Sequence, residues 1–327
     1  MKILSCTKNG GDVRATLLAE SAEIDRFGGV REAVEGCIRL FAAEKGFGQL
    51  ALPRVTRMES APDGATEFDF DAAVPPAVEL GEYLGLEVYV PSDEAPDLHV
   101  LRAAAERMSV EIPETYISRK IDGLMRRRLE DVAQRTGFVT LADMAAILRI
   151  VNGERSLGRS EAELWDAAVA AADEMSGARL RAHSSEEICR IIAESLYGEG
   201  AEDEDGAIGR ALQRRAEEKQ HTSPEVLAEE SFACYLRMAG KTEQALREEF
   251  RADATELVRF DLLIEEVARR EALEISDEEF NAALETIAGM YDMHPAEVLH
   301  LIGASALRDQ LLRDKARAMI VDSAKRI

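Results

Sequence analysis

Groups able to do chemistry are present in this chain but scattered. The five histidines, His99, His183, His221, His294 and His300, share no H-E-x-x-H or other ligand spacing, so no zinc site is written into them. The acidic run GEGAEDEDG, residues 198–206, comes nearest to a calcium loop. With Gly206 at the sixth position, Asp203 and Asp205 fall on ligand positions, but the first and twelfth are Ala201 and Leu212. A calcium loop ends on a bidentate glutamate, so the match fails, and the run reads as an exposed acidic linker. No G-x-x-x-x-G-K-[ST], no G-x-G-x-x-G after a strand and no G-x-S-x-G elbow occurs. Phosphate cradling, dinucleotide binding and serine nucleophiles therefore lack their usual signatures. Carboxylate pairs say nothing in a chain with 63 acidic residues, and Cys6, Cys37, Cys189 and Cys234 form no C-x-x-C pair. No catalytic residue, no cofactor and no metal is expected.

What remains is apolar patterning. Residues 12–19, DVRATLLA, read as a strand after the turn Asn9-Gly10-Gly11. A helix is expected from Ile24 to about Lys45 on the stripe Phe27, Val34, Cys37, Ile38 and Phe41, although Gly28, Gly29 and Gly36 weaken it. Pro62-Asp63-Gly64 separates Pro53–Met58 from the alternating Phe68-Asp69-Phe70, which suggests a hairpin with one buried face. These pieces make an α+β domain over residues 1–91, followed by a linker at 92–96. Residues 97–327 read as almost entirely helical, with 139–222 an insert of unassigned role. Within residues 97–327 a proline-led helix starts at Ile112-Pro113-Glu114, another at Ser223-Pro224-Glu225, two helices run through Glu243–Arg270, and Ser276 with Glu279 forms a capping box. The fold class expected is mainly α with a small α+β N-terminal domain.

Charge narrows the partners. The formal net charge is −23, and the tightest basic cluster, Arg126 to Arg128, is followed at once by Glu130 and Asp131. Nucleic-acid binding draws on cations displacing counterions, so neither DNA nor RNA is expected. No run approaches the roughly 20 apolar residues that span a bilayer, and MKILSC is too short for a signal peptide. A cytoplasmic protein without a membrane partner is expected, its thiols reduced.

Two long stretches carry a family resemblance. FDFDAAVPPAVELGEYLGLEVYVP, residues 68–91, resembles the strand and linker after the ribosome-docking module of bacterial trigger factor. Residues 250–299, including the I-S-D-E-E box at Ile275–Glu279 and the turn at Tyr291–Val298, resemble the end of that family's helical substrate-binding domain. IPETYISRKIDGLM, residues 112–125, is similar to its proline-led arm helix. The resemblance implies a helical C-terminal domain with projecting arms. It also places GFGQLALP, residues 46–53, on the family's ribosome-docking loop, which carries G-F-R-x-G-K-x-P between helical segments. Gly46, Phe47 and Pro53 hold their places, while Gly48, Leu50 and Ala51 replace arginine, glycine and lysine. Residues 1–91 contain 9 basic against 15 acidic side chains, a formal −6, so weak or no ribosome binding is expected. A prolyl isomerase domain of about 90 residues is expected to be absent, since only PSDEAP stands where the family usually inserts it.

The function implied is that of an ATP-independent holdase for unfolded or partly folded polypeptides. Client contacts are expected on the arm helices at Tyr116, Ile117, Met125, Phe232, Tyr235 and Leu236, with core packing the competing fate of each. The alternatives are a dedicated scaffold or escort for one partner and a divergent peptidyl-prolyl isomerase. Association as a homodimer stays open.

Overall fold

A computed structural model describes residues 1–89, 96–177 and 184–326. The elements are β1 (Lys2–Asn9), β2 (Asp12–Ala19), α1 (Ser21–Phe27), α2 (Val30–Glu44), β3 (Ala51–Ser60), β4 (Thr66–Ala73), β5 (Val78–Glu79) and β6 (Glu87–Val88). Then come α3 (Pro96–Glu106), β7 (Ser109–Val110), α4 (Glu114–Ala133), α5 (Thr136–Arg155), α6 (Glu161–Gly177), α7 (Ser185–Tyr197) and α8 (Ala207–His221). The chain closes with α9 (Pro224–Met238), α10 (Glu243–Arg270), α11 (Asp277–Tyr291), α12 (Pro295–Ile302), α13 (Ala304–Ser323) and β8 (Lys325–Arg326). The fold is mainly helical with a small N-terminal sheet, as the patterning implies. Of the linker at 92–96, all but Pro96 lies outside the described residues; Pro96 opens α3.

Two compact units form: Met1–Ile121 with Arg251–Ile327, and Asp122–Phe250. The division falls within the sequence ranges of α4 and α10, and the segment 139–222 falls inside the second unit.

In the first unit an antiparallel sheet runs β1-β2-β4-β3. Alternation puts Val13, Ala15, Leu17 and Ala19 of β2, and Phe68, Phe70 and Ala72 of β4, on one buried face. Val34, Cys37, Ile38 and Phe41 of α2 close over it in one core. The single helix expected over 24–45 is broken, because Gly28 turns left-handed at φ 86° and ends α1. Gly36 fits within α2 because the Phe27 ring lies where its Cβ would stand. The carboxylate of Asp12, at the start of β2, accepts the backbone N–H groups of Glu114 (3.0 Å) and Thr115 (2.7 Å). It thereby caps α4 from a hundred residues upstream, satisfying donors that have no partner within the helix. A second core gathers α3, α10 and α13 around Val100, Leu101, Leu263, Val267 and Ile320. A third, smaller one joins α11, α12 and α13 through Phe280, Leu284, Val298 and Leu307. The expected pair of helices through Glu243–Arg270 is one helix of 28 residues, uninterrupted by glycine or proline.

In the second unit α5 is central, packing against α6, α8 and α9, with Leu148, Val151, Ala168, Ile192 and Ile208 in its core. The run at 198–206 is more than an exposed linker. Asp203 accepts the N–H groups of Ile208 (3.1 Å) and Gly209 (2.9 Å), and Asp205 accepts that of Ala207 (3.0 Å). Arg155 pairs with both carboxylates. The acids cap the N-terminus of α8, where negative charge and free acceptors are both favoured.

Candidate functional site

The octet at 46–53 does not lie between helical segments; it joins α2 to the edge strand β3. Its first two residues end the helix. Gly46 adopts φ 69°, its N–H donates to the Ala43 carbonyl (3.2 Å), and the Phe47 N–H donates to that of Ala42 (2.9 Å). This is the paired bonding of a Schellman stop, which needs a residue free to turn left-handed and an apolar one after it. Phe47 supplies the latter, its ring edge-on to Phe41 at 5.9 Å between centroids. Lys8 Nζ stands over that ring, 5.4 Å from its centroid. Leu50 is buried in the same core. Pro53 is exposed on β3, where an outermost strand can accommodate a residue without an N–H.

Beyond the helix stop, residues 48–53 form one end of a groove of about 1200 Å³. Val30, Val34, Ile38 and Ala42 of α2 make one wall, and Val55 and Met58 of β3 the other. The helix covers β2 and β4 but leaves the same face of β3 bare, so Val55 and Met58 are 37% and 55% exposed.

The six arm residues divide between the two units. In the first, Tyr116 and Ile117 are half-buried on α4, and Tyr116 packs against the α3–α10–α13 core. Burial, with Glu265 nearby, pushes the Tyr116 phenol up. In the second unit Met125 and Phe232 are buried, and Tyr235 and Leu236 are half-buried. Phe232 stacks on Tyr235 at 5.8 Å, and Phe138 meets Tyr235 edge-on at 5.6 Å. Arg128 donates to the Tyr235 hydroxyl (2.8 Å) and lies over the Phe250 ring. Tyr235 is thus the centre of an aromatic cluster.

Larger apolar exposure occurs at the ends of α11 and α12. Met290, Tyr291 and Leu301 are 73%, 68% and 70% exposed, and Ile302 is also in solvent. Exposed apolar side chains of this size are candidates for contact with another molecule. Among the described residues no group of three or more His, Cys, Asp or Glu side chains could hold a metal ion, and no helix is long and apolar enough to cross a membrane.

Comparison with known proteins bears on this part of the chain. Residues 218–322, from the end of α8 into α13, match the family described as bacterial trigger factor protein C-terminus. Trigger factor of Streptococcus mutans is 36% identical over 95 residues, 29% of this chain and 22% of its own. That of Lactococcus lactis subsp. cremoris is 33% identical over 108 residues, 33% of this chain and 23% of its own. Through this segment the chain is similar to the C-terminal part of trigger factor. The matched stretch spans less than a quarter of the length of these relatives. A solved structure described as "Promiscuous Substrate Recognition in Folding and Assembly Activities of the Trigger Factor Chaperone" aligns over 98% of this chain and 99% of its own. Its identity is 12% and its TM-score 0.35, too loose a superposition to add to the assignment.

Met290, Tyr291, Leu301 and Ile302 all lie within the trigger factor segment, as do Phe232, Tyr235 and Leu236; the groove of the N-terminal sheet lies outside it. The four exposed residues escape a reading by periodicity. Tyr291 continues the α11 stripe of Phe280, Leu284 and Ala288, and Ile302 follows Val298 one turn on, so a wheel projection assigns both to the core. The signal available in sequence was the doublets Met290-Tyr291 and Leu301-Ile302, since a helix against one core buries only one of two neighbours.

Proposed function

We propose that the protein is an ATP-independent molecular chaperone, a holdase that binds unfolded or partly folded polypeptides. The observation that carries this reading is the exposure of Met290, Tyr291, Leu301 and Ile302 within the segment matched to trigger factor. Each would contribute about 25 cal/mol per Å² of apolar area covered by a client, so individual contacts are weak and the sum is reversible without an energy source. Tyr116 and Ile117 of the first unit, and Tyr235 and Leu236 of the second, keep part of their surface for clients, whereas Met125 and Phe232 are buried and would act only through the packing of their own unit. A net charge of −23 would hold loaded complexes apart in solution.

The test is suppression of aggregation of a chemically denatured client at near-equimolar ratio. The double change Tyr291→Ser with Leu301→Ser removes exposed apolar area without opening a core. It is expected to weaken client binding about tenfold, with the far-ultraviolet circular dichroism unchanged. Full suppression by the double variant would discard this surface as the client site.

Ribosome attachment is expected to be weak or absent. Gly46 and Phe47 have a structural use in ending α2, and residues 48–53 bring no cation to the loop. In co-sedimentation with ribosomes, little of the protein should pellet at either low or high salt. Salt-sensitive pelleting of most of it would reverse this part of the reading. Only residues 89–95 stand between β6 and α3, which supports a chaperone without an isomerase domain.

A further inference from the structure

We propose that the groove between α2 and β3 is a docking site for an amphipathic helix of a partner protein, one that presents a carboxylate to Arg39. The apolar wall on α2 repeats at Val30, Val34, Ile38 and Ala42, a ridge inclined to the helix axis and about 18 Å long at 1.5 Å per residue. Opposite it stand Leu52, Val55 and Met58. A ridge of three turns facing an apolar wall is the form that receives the stripe of another helix at i, i+4 and i+7.

An extended peptide is the obvious rival, because β3 is an outermost strand. The strand is built against that use. Pro53 has no N–H to give, and Leu52 is turned to φ 53°. The pairing of β3 with β4 slips between Ala51 and Arg54 and again between Val55 and Arg57. Charged Arg54, Arg57 and Glu59 follow along the edge. Bulges, proline and charge are the devices that keep an edge from pairing with another strand. An occupant of the groove must then satisfy its own backbone, as a helix does.

Charge selects among helices. Arg31 is matched by Glu35 at 3.6 Å, Arg54 by Asp71, and Arg57 by Glu59, Glu67 and Asp69. Arg39, exposed on the groove wall, has no ion pair among the described residues. It would meet one carboxylate on the incoming helix. The chain's overall −23 disfavours a strongly acidic partner and a second copy of itself alike, so a single carboxylate beside the apolar stripe is all the negative charge asked of the helix.

The test uses the full chain and a labelled 15-residue peptide of alanine, leucine and glutamine, stapled as a helix, with leucine at i, i+4 and i+7 and one glutamate beside the stripe. Fluorescence anisotropy compares it with the same helix carrying lysine for glutamate and with an extended valine–threonine peptide of equal apolar content. The glutamate helix should bind. Met58→Glu should weaken it about tenfold or more, and Arg39→Glu should reverse the preference in favour of the lysine helix. That reversal is a gain of binding, which a misfolded variant could not produce. Tighter binding of the extended peptide, equal binding by Met58→Glu, no reversal by Arg39→Glu, or a dimer in sedimentation that Met58→Glu converts to monomer would each overturn the proposal. Aggregation suppression measured on Met58→Glu stays at the wild-type level if the α11–α12 surface holds clients, so the two readings fail separately.

Discussion

Phe70→Ala will raise the hydrogen exchange of the β2 and β4 amides by roughly a thousandfold, the equivalent of about 4 kcal/mol lost from that sheet. Phe70 is fully buried in the centre of β4, flanked in register by Ala15 of β2 and Val55 of β3. Its ring meets Phe41 of α2 edge-on at 5.4 Å and leans on Phe68 at 6.3 Å. With alanine at position 15 beside it, no flexible neighbour can fill the space, so the cavity persists. Because β3 hangs on β4, the groove wall at Val55 and Met58 should loosen with it. Phe70→Leu keeps most of the volume and should cost less than half as much. Unchanged protection in the alanine variant would show that α2 and the sheet do not share one core.

The strands that bury one face were legible because their alternation is clean: Val13, Ala15 and Leu17 in β2, and Phe68 and Phe70 in β4. β1 was not, because KILSCTKN lies at an edge with most side chains in solvent, and an edge strand need not alternate. Proline-led helix starts at 114 and 224 and the Ser276–Glu279 box were readable, since each is a local contract between backbone donors and one side chain. The octet was harder. Glycine and phenylalanine at 46 and 47 fit a docking loop and a helix stop equally well, and only the bonds from Gly46 and Phe47 to Ala43 and Ala42 distinguish them. The groove beside it depends on which strand α2 leaves uncovered, a matter of sheet order that no window of sequence contains. The run at 198–206 looked like a solvated linker because its partner, Arg155, lies about fifty residues away.

Arg215 shows the same blindness, and carries the second large effect. An arginine on a helix is ordinarily a surface residue, yet this side chain is only 6% exposed. It donates to Asp143 on α5 at 3.1 Å and pairs with Glu230 on α9, while Lys219 shares Asp143 at 2.7 Å. One guanidinium therefore ties α8 to both α5 and α9, beneath the packing of the second unit. Arg215→Ala removes the cation shared by two carboxylates and leaves Lys219 paired with Asp143 alone. Since both acids retain some solvent, the loss should fall at the low end for a broken buried pair, about 3 kcal/mol. Arg215→Met fills the space without the charge and should recover part of the loss. Urea unfolding followed by Trp165 reads this directly, because the chain's single tryptophan lies on α6 against the same core. An alanine variant unfolding at the wild-type urea concentration would mean that the ion cluster is incidental and that the aliphatic core alone holds α8 in place.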